Sequence, residues 1–298
     1  MQSGKFPISF EFFPPKTLAG QDNLLNAATL LSRENPYFFS MTYGAGGSTR
    51  DGTISMVGML HDLTKVPLTP HLSCIGSTRA ELIEILQVYQ SLNVNRIVAL
   101  RGDLPSGMGQ AGELHYANEL VALIREITGD YFHIEVAAYP ECHPQAKNAR
   151  QDLINFKKKI DAGANSAITQ YFFNPDAYFH FLEECAKANI FIPIVPGVMP
   201  ITNYSKLSTF SERCGAEIPR WMQKQFESYA DDIESIQAFG LEVVYRLCER
   251  LIEGGAPGIH FYTLNHAEPT TSLLQLLGVS KRELKLSVVP KSSKTPLA

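Results

Sequence analysis

Residues 133–172, HIEVAAYPECHPQAKNARQDLINFKKKIDAGANSAITQYF, contain two short apolar runs on either side of an amphipathic stretch. The runs at 133–139 and 166–172 lack strict alternation of apolar and polar residues, which is typical of strands buried on both faces. Between them, residues 151–162 place apolar side chains at helical spacing, and Gly163 follows as a helix stop signal. The segment therefore predicts a strand, a helix and a second strand parallel to the first.

The same alternation continues in both directions along the chain. The apolar runs comprise residues 7–13, 37–43, 68–74, 96–101, 133–139, 166–172, 191–198 and 258–262. Strict alternation of strands and helices predicts a parallel sheet, and eight strands favour a closed α/β (β/α)8 TIM barrel. An open sheet with helices on both faces is the alternative. Residues 203–251 are too long for one crossover, so we expect extra helices before the last strand, with the added material near 218–229.

The domain organisation follows from length and composition. The chain has 298 residues, of which 45% are hydrophobic, and this is enough apolar material for one large core. Two domains of ordinary size would also fit this length. No linker or charge block interrupts the chain internally, so we predict a single catalytic barrel over residues 1–286. Residues 287–298, rich in Lys, Ser and Pro, are predicted to form a loose tail.

Charge and cysteine usage exclude several classes of protein. The formal net charge of -4 gives no basic surface for nucleic acid or an anionic membrane. The amino-terminal apolar stretch is interrupted by Glu11, Pro14 and Pro15, which does not fit a signal peptide or a membrane span. The five cysteines are scattered without CxxC spacing, which indicates reduced thiols. We therefore expect a cytoplasmic protein with neither nucleic acid nor membrane as a partner.

Polar side chains recur at the carboxyl ends of nearly all the predicted strands. The first run contains Glu11, the third carries His71, and Asp103 follows the fourth. In a (β/α)8 barrel the chemistry lies at this end of the strands. Each residue also has a structural explanation, since Asp103 can close a turn, Thr42 can cap the next segment, and His71 can be a hydrogen-bonded core histidine.

Glu11 is the hardest of these residues to explain structurally. It lies among Phe10, Phe12 and Phe13, where a carboxylate is costly unless it is paired, exposed in a cleft or protonated. We expect these apolar neighbours to raise its pKa and to make it a general acid near neutral pH. Together with Asp103 it would form a pair of carboxylates, one donating a proton while the other stays ionised.

Other chemistries receive less support from the sequence. No GxGxxG follows a strand, and the Gly-rich residues 44–49 lack the GK[ST] of a phosphate loop, although their backbone amides can still approach a phosphate. No HExxH or spaced Cys/His cluster predicts a metal site, and no GxSxG indicates a serine hydrolase. From the residues alone, the chain is a barrel with an acid- and base-rich mouth and an unidentified substrate.

A series of motifs at these strand ends identifies a family. In chain order they are SFEFFPPKT (9–17), MTYGAGG (41–47), PHLSC (70–74), ALRGDLP (99–105), AAYPECHPQA (137–146), DAGANSAITQYFF (161–173), PGVMPITN (196–203) and FYTLN (261–265). One such motif would be weak evidence, but eight in the right order are specific. On these motifs the chain resembles the bacterial methylenetetrahydrofolate reductases over nearly its whole length.

The resemblance implies an activity and its cofactors. It implies a (β/α)8 barrel with tightly bound FAD and a ping-pong cycle, in which NADH first reduces the flavin. The flavin then reduces 5,10-methylenetetrahydrofolate to 5-methyltetrahydrofolate, which supplies methyl groups for methionine synthesis. NADH is the expected reductant, with NADPH left open, and a homo-oligomer is the expected assembly. No metal is implied.

The resemblance also assigns residues by position. Glu11 matches the general acid that protonates N5 of the folate, and Asp103 matches the aspartate between flavin and pterin. The positions around the FAD are Thr42, Tyr43, Ala45, His71, Arg101, Gly102, Asp103, Ala117, Tyr139, His143, Ala146, Asp152, Asn155 and Lys159. The last three share one face of the predicted helix at 151–162, which without the resemblance would be a solvated stripe.

The implied substrate contacts are Glu11, Asp103, Gln170, Lys206, Phe210 and His266. Gln170 matches a residue that contacts the pterin and the nicotinamide, and Phe210 matches an aromatic residue that stacks on the bound substrate. The sequence departs from the family pattern at two positions. His266 stands where relatives often have arginine, and Lys206 stands where some have glutamine, so a cation at either position would bind the carboxylate tail of the folate.

Two alternative functions stay open at this point. One is a methyltransferase barrel that binds folate without flavin. The other is a non-catalytic protein that binds folate or flavin. The presence of both Glu11 and Asp103 argues against the second, because binding alone does not need an acid.

Overall fold

A computed structural model describes residues 5–43, 47–102 and 112–279, with the backbone alone for residues 47–51. The predicted loose tail at 287–298 lies outside the described residues. Within them, every pair of neighbouring strands is parallel, as the alternation of strands and helices predicts. The strands are β1 (Ile8–Phe12), β2 (Phe38–Met41), β3 (Leu68–Ser73), β4 (Arg96–Leu100), β5 (His133–Ala138), β6 (Ser166–Thr169), β7 (Ile194–Val195), β8 (Gly197–Val198) and β9 (Ile259–Tyr262).

The strand order is β7-β6-β5-β4-β3-β2-β1-β9-β8, so the two ends of the sheet are the consecutive short strands β7 and β8. Only Pro196 separates them, and they occupy the place of the single strand predicted at 191–198. The prediction of one unbroken seventh strand is therefore wrong. Proline has no N–H to donate to a neighbouring strand, and this divides the run. The sheet closes through chain continuity at this point and forms the predicted (β/α)8 TIM barrel.

In the described part of the chain, helices follow each strand except β7. They are α1 (Leu18–Ser32), α2 (Gly47–Thr64), α3 (Arg79–Ser91), α4 (Ala117–Thr128), α5 (Ala149–Asp161), α6 (Pro175–Lys187), α7 (Tyr204–Cys214), α8 (Arg220–Tyr229), α9 (Ile233–Glu253) and α10 (Thr270–Leu277). The three helices α7, α8 and α9 precede the last strand, as the length of 203–251 predicts. None of the helices within the described ranges is long and apolar enough to cross a membrane.

Side-chain alternation along β1 separates two environments. Phe10 and Phe12 are fully buried in the main core, where their rings contact Phe39 on β2. Glu11, between them, points to the opposite face of the strand and into the barrel. Sequence neighbours in a strand are therefore not spatial neighbours, and Glu11 is not enclosed by these two rings.

Polar residues cluster at the amino-terminal ends of three neighbouring strands, where Arg96 begins β4, His133 begins β5 and Ser166 begins β6. Glu135 is 2% exposed and forms an ion pair with Arg96, while Nε2 of His133 lies 3.3 Å from its Oε1. The Arg96 guanidinium also donates to the Tyr37 hydroxyl at 3.0 Å. Burial alone would raise the pKa of Glu135, but the hydrogen bond from His133 and the charge of Arg96 lower it. The charged residues at this end of the barrel are thus paired with one another.

Candidate active site

A cavity of about 1030 Å³ opens at the carboxyl ends of the barrel strands, where the sequence places its polar residues. Many of the residues assigned by family resemblance line this cavity. They are Glu11, Thr42, Tyr43, His71, Gly102, Tyr139, Gln170, Lys206, Phe210 and His266. The structure therefore brings together residues from β1 and β3, from the segments after β2, β4, β5, β6 and β9, and from helix α7.

Glu11 lies between two histidines at the base of the cavity. Its Oε2 is 3.3 Å from Nε2 of His71 on β3 and 3.5 Å from Nε2 of His260 on β9. The Glu11 side chain is 18% exposed, whereas His260 is completely buried. The parallel register produces this arrangement, because Glu11 pairs with Tyr262 and Ser9 pairs with His260.

The pKa of Glu11 differs from the sequence-based expectation. Burial would raise it, but His71 and His260 beside the carboxylate outweigh burial and lower the pKa to about 2. The prediction of a raised pKa is therefore wrong. Its physical reason is that the expected apolar neighbours Phe10 and Phe12 lie on the other face of β1, so histidines surround the carboxylate.

Gly102 provides a stretch of backbone that faces the cavity. Its φ of +83° lies in the left-handed region, which glycine adopts without strain. A Cβ at this position would collide with Oγ of Ser73 and lie 2.9 Å from Cγ2 of Ile75. Ser73 Oγ and Ile75 N both donate to the carbonyl oxygen of Arg101 at 2.8 Å, which ties the segments after β3 and β4 together. Only glycine therefore fits at this point of the cavity wall.

Three assigned residues, His143, Asp152 and Lys159, do not line the cavity but contact residues that do or that lie next to it. The backbone N–H of His143 donates to Oδ2 of Asp152 on α5 at 2.8 Å, and the His143 ring lies 4.5 Å from that of Tyr139. Lys159 donates through Nζ to the carbonyl oxygen of Ala137 at 2.6 Å. Burial lowers the pKa of Lys159 to about 8, against an opposing effect of Asp152. Helix α5 thus holds the segment that follows β5.

Helix α7 brings two assigned residues to the opposite wall. Asn203 caps this helix by accepting from the N–H of Lys206 at 2.9 Å. Phe210 lies four residues further along and therefore on the same face of the helix, and it is 53% exposed. Gln170 is fixed differently, because its Oε1 accepts from the N–H of Tyr171 at 3.0 Å. His266 is held by a backbone hydrogen bond to Thr263 at 3.0 Å.

Not every assigned residue lines the cavity. Ala45 and Asp103 lie outside the described residues, so the predicted pairing of Asp103 with Glu11 stays a prediction. The described residues that are assigned but do not line the cavity are Arg101, Ala117, His143, Ala146, Asp152, Asn155 and Lys159. Asn155 is exposed and accepts a hydrogen bond from Gln151 at 3.2 Å, and Arg101 donates through Nε to the Gly102 carbonyl at 3.1 Å.

Sequence reasoning missed several residues of this region. His260 lies beneath Glu11, while Phe13, Met199, Tyr262 and Leu264 line the cavity. A signal for His260 was present, since it lies two residues before Tyr262 in a strand and therefore on the same face. Its contact with Glu11 depends on the register of β1 and β9, which the order of residues does not reveal.

Sequence comparisons identify the family. The profile of the methylenetetrahydrofolate reductase family matches residues 1–278. The 5,10-methylenetetrahydrofolate reductase of Escherichia coli K12 is 42% identical over 276 residues, which cover 93% of this chain and 92% of that protein. The enzyme of the same name from Buchnera aphidicola subsp. Schizaphis graminum is 42% identical over 92% of this chain and 93% of its own length. A probable methylenetetrahydrofolate reductase (NADH) from rice is 35% identical over 95% of this chain, which spans 50% of the longer rice protein.

Structural comparisons show the fold alone. An uncharacterized protein from Clostridium thermocellum, which binds two copies of 5-methyl-5,6,7,8-tetrahydrofolic acid, matches with a TM-score of 0.62 at 17% identity. The match covers 93% of this chain and 95% of that one. A 3-dehydroquinate dehydratase from Geobacillus kaustophilus matches with a TM-score of 0.51 at 10% identity, over 93% of this chain and 91% of its own. The fold is therefore shared with a protein of different chemistry.

The family profile and the close relatives agree with the resemblance carried by the strand-end motifs. Both bacterial relatives match over more than nine-tenths of their length, and their shared name describes an oxidoreductase. The chain therefore belongs to the methylenetetrahydrofolate reductase family and is an oxidoreductase.

Proposed function

We propose that this cavity binds FAD and reduces 5,10-methylenetetrahydrofolate to 5-methyltetrahydrofolate with NADH as the electron donor, in a ping-pong cycle. The observation that carries the proposal is the position of Glu11. It is a carboxylate at the base of a cavity of about 1030 Å³, and two histidines lie within 3.5 Å of its Oε2. The name of the rice relative, which specifies NADH, supports the choice of donor.

The residues present fit a flavin. The close approach at Gly102 leaves backbone rather than a side chain on the cavity wall, next to the hydroxyl-bearing Ser73 and Thr42. Tyr43 and Tyr139 add aromatic surface, and the cavity volume is at the upper end of the range for small-molecule sites. FAD, when bound, supplies the two-electron chemistry that carries a hydride from NADH to the folate.

The chain's own contribution to the chemistry centres on Glu11. A proton delivered from Oε2 to N5 of the folate would help to open the five-membered ring, which makes the methylene carbon a better hydride acceptor. His71 and His260 fix the carboxylate at the base of the cavity, so that it need not reorganise when the substrate arrives. Asp103, outside the described residues, is proposed to stabilise the resulting positive charge.

The opposite wall suits the rest of the folate molecule. Phe210 presents an exposed ring for stacking, and Lys206 on the same face of α7 supplies a positive charge. His266 also lines the cavity and becomes a second cation when it is protonated. An extended ligand with an aromatic ring and a carboxylate tail matches this wall. Gln170 is proposed to contact the pterin and the nicotinamide in turn.

Asp152 and Lys159, which do not line the cavity, are proposed to act on the flavin indirectly. Asp152 holds the backbone of His143, and Lys159 holds that of Ala137, so both set the position of the cavity wall at Tyr139. We also propose that the protein is a cytoplasmic homo-oligomer. Its five cysteines are free, which fits a reducing compartment. Light scattering of the purified protein measures the oligomeric state.

The test is an anaerobic spectrum of the purified protein, first with NADH and then with 5,10-methylenetetrahydrofolate. Flavin absorbance should bleach with NADH and return with the folate. Glu11→Gln should still bleach with NADH, because that step needs no proton from Glu11, but should lose the recovery by at least about a hundredfold in rate. A protein that binds no FAD, or reduced flavin that the folate does not reoxidise, would refute the proposed function. A near-normal recovery in Glu11→Gln would refute the role of Glu11 alone.

A further inference from the structure

His260 is a buried histidine that does not line the cavity, and its polar neighbours among the described residues are Ser9, Ser40 and Glu11. Its Nδ1 lies 2.7 Å from Oγ of Ser9. Its Nε2 lies 3.3 Å from Oγ of Ser40 and 3.5 Å from Oε2 of Glu11. The side chain is 0% exposed, so a ligand in the cavity meets Glu11 and not His260.

The two histidines beside Glu11 therefore differ in role. His71 lies 3.3 Å from the same oxygen but also lines the cavity, where it is available to a bound ligand. His260, in contrast, is fully buried and is not available to a ligand in the cavity. Any influence of His260 on the chemistry passes through Glu11, which makes it a positioning residue and not a catalytic one.

The proposed function requires a source for the proton that Glu11 donates to the folate. The neighbouring histidines lower the pKa of Glu11 to about 2, so among the protein groups alone the carboxyl group is ionised near neutral pH. A general acid must nevertheless carry a proton at the moment of reaction. Ligands packed against Glu11 would also cover the small exposed fraction of its side chain, which removes direct exchange with solvent.

We propose that His260 stores the proton that Glu11 donates, and that ligand binding moves it from Nε2 of His260 to Oε2 of Glu11. This inference rests on the proposed function. The step breaks one N–H bond and forms one O–H bond, converting imidazolium and carboxylate into neutral imidazole and carboxylic acid. No electron is transferred, and the net charge of the pair does not change.

Desolvation provides the driving force for this transfer. An ion pair beside an open, water-filled cavity is stabilised by solvent, whereas covering it with an apolar ring system favours the neutral pair. Both forms of His260 keep hydrogen-bond partners, since the hydroxyls of Ser9 and Ser40 can either donate or accept.

Other titratable groups face this pair from the neighbouring elements. His71 approaches from β3, and Tyr262 lies on β9 within electrostatic range of Glu11 and of Tyr139 after β5. Burial raises the pKa of Tyr262 well above its usual value, so this phenol stays neutral and does not compete for the proton. Among the described residues His71 is the remaining competitor, and its effect is measured with a variant of its own.

The experiment is infrared difference spectroscopy of the flavin-loaded protein with and without 5-methyltetrahydrofolate. Binding should produce a carboxylic acid C=O band in the wild type and no such band in Glu11→Gln, which assigns the band. His260→Asn should lose most of the band, whereas His71→Asn should retain it. The control is Thr69→Val, which removes a buried hydroxyl with no hydrogen-bond partner in the described part of the barrel and should leave the band unchanged.

Kinetics provide the second measurement. His260→Asn should slow flavin reoxidation by 5,10-methylenetetrahydrofolate by at least about tenfold and change its pH profile, while reduction by NADH stays within about twofold. If His260→Asn does not fold, Ser9→Ala tests the same step, because it removes the partner of Nδ1 and should weaken the band. A wild-type band that persists in His260→Asn, or that is lost in His71→Asn instead, would overturn the proposal. Failure of the wild-type flavin to react with the folate would refute the proposed function instead.

Discussion

The hydroxyl of Tyr262 donates a hydrogen bond of 2.7 Å to the carbonyl oxygen of Thr169. This contact spans the place where Pro196 divides the seventh barrel strand. The N–H of Gly197 also bonds to a side chain there, namely Oγ1 of Thr169 at 2.9 Å. Side chains therefore replace the backbone hydrogen bonds that an unbroken strand would form with β6, and the same Tyr262 ring lines the cavity.

The variant Tyr262→Phe tests whether the side-chain hydrogen bond to Thr169 stabilises the barrel. It keeps the ring and removes the hydroxyl, which leaves the buried Thr169 carbonyl without this partner. We expect the free energy of unfolding to fall by about 1–3 kcal/mol. Urea denaturation measures it, and Tyr131→Phe on the surface serves as the control, with a change within about 0.5 kcal/mol. Equal effects of the two variants would mean that the hydrogen bond does not stabilise the barrel.

The close contact of Tyr262 with Gly197 leads to a second prediction. A Cβ at residue 197 would overlap the carbonyl oxygen of Thr169 and lie 2.6 Å from the Tyr262 ring. We expect Gly197→Ala to destabilise the protein by about 1–3 kcal/mol or more, because the backbone must move. The matched control is Gly58→Ala on helix α2, where a Cβ meets nothing within 4 Å. This control should stabilise the protein by about 0.5–1 kcal/mol. Thermal unfolding of both variants gives the comparison, and a tolerated Gly197→Ala would contradict the close packing of Gly197 against Thr169 and Tyr262.

The barrel was predictable because its signal is periodic. Apolar runs and amphipathic stretches alternate over the whole described chain, and the extra helices follow from the length of 203–251. The split of the seventh strand was less visible, although Pro196 within an apolar run is itself a warning. The exchange of backbone for side-chain hydrogen bonds at Thr169 depends on spatial neighbours and has no local signal.

The acid stability of the fold depends on Glu11. The pKa of Glu11 is lowered from 4.5 to about 2 in the folded protein. The ionised carboxylate therefore stabilises the folded state at pH values above the pKa that Glu11 has in the unfolded chain. This contribution to the free energy of unfolding is on the order of 3 kcal/mol when Glu11 is ionised in both states. It is lost as the pH falls through the pKa of Glu11 in the folded protein. Denaturant titrations of the wild type and Glu11→Gln at about pH 5 and pH 3 should give a stability difference that shrinks at the lower pH.

A control for this pH effect is Asp22→Asn, which removes an exposed carboxylate from helix α1. Its stability difference from the wild type should change less over the same interval. A difference for Glu11→Gln that stays constant or grows in acid would mean that the histidines do not stabilise the carboxylate.

Lys159 has the opposite pH dependence. Burial lowers its pKa to about 8, so the folded protein releases this proton before the unfolded chain does. Between about pH 8 and pH 10 the unfolded state binds more protons, and stability should therefore rise with pH relative to Lys159→Met. Denaturation curves at both pH values measure this, with Lys158→Met on the exposed face of α5 as the control. An identical trend in the two variants would argue against a buried amine at residue 159.

The candidate site was predictable in part. Glu11 and His71 follow from the rule that barrel chemistry lies at the carboxyl ends of strands, and both line the cavity. The direction of the Glu11 pKa was not predictable from its phenylalanine neighbours, because a strand sends adjacent residues to opposite faces. His260 escaped notice because its partner is 249 positions away in the sequence, and only the register between β1 and β9 brings them together.

The paired charges at the amino-terminal end of the barrel have a consequence for how the sequence can diverge. Losing Arg96 alone would leave the buried Glu135 beside His133 without its guanidinium partner, and losing Glu135 alone would leave Arg96, which is only 15% exposed, without its carboxylate partner. Either single change is costly, whereas replacing both by apolar residues of similar volume is tolerated far better. Mutational drift at these two positions is therefore coupled. Across related sequences, residues 96 and 135 should be exchanged together, as a linked pair of sites on adjacent strands.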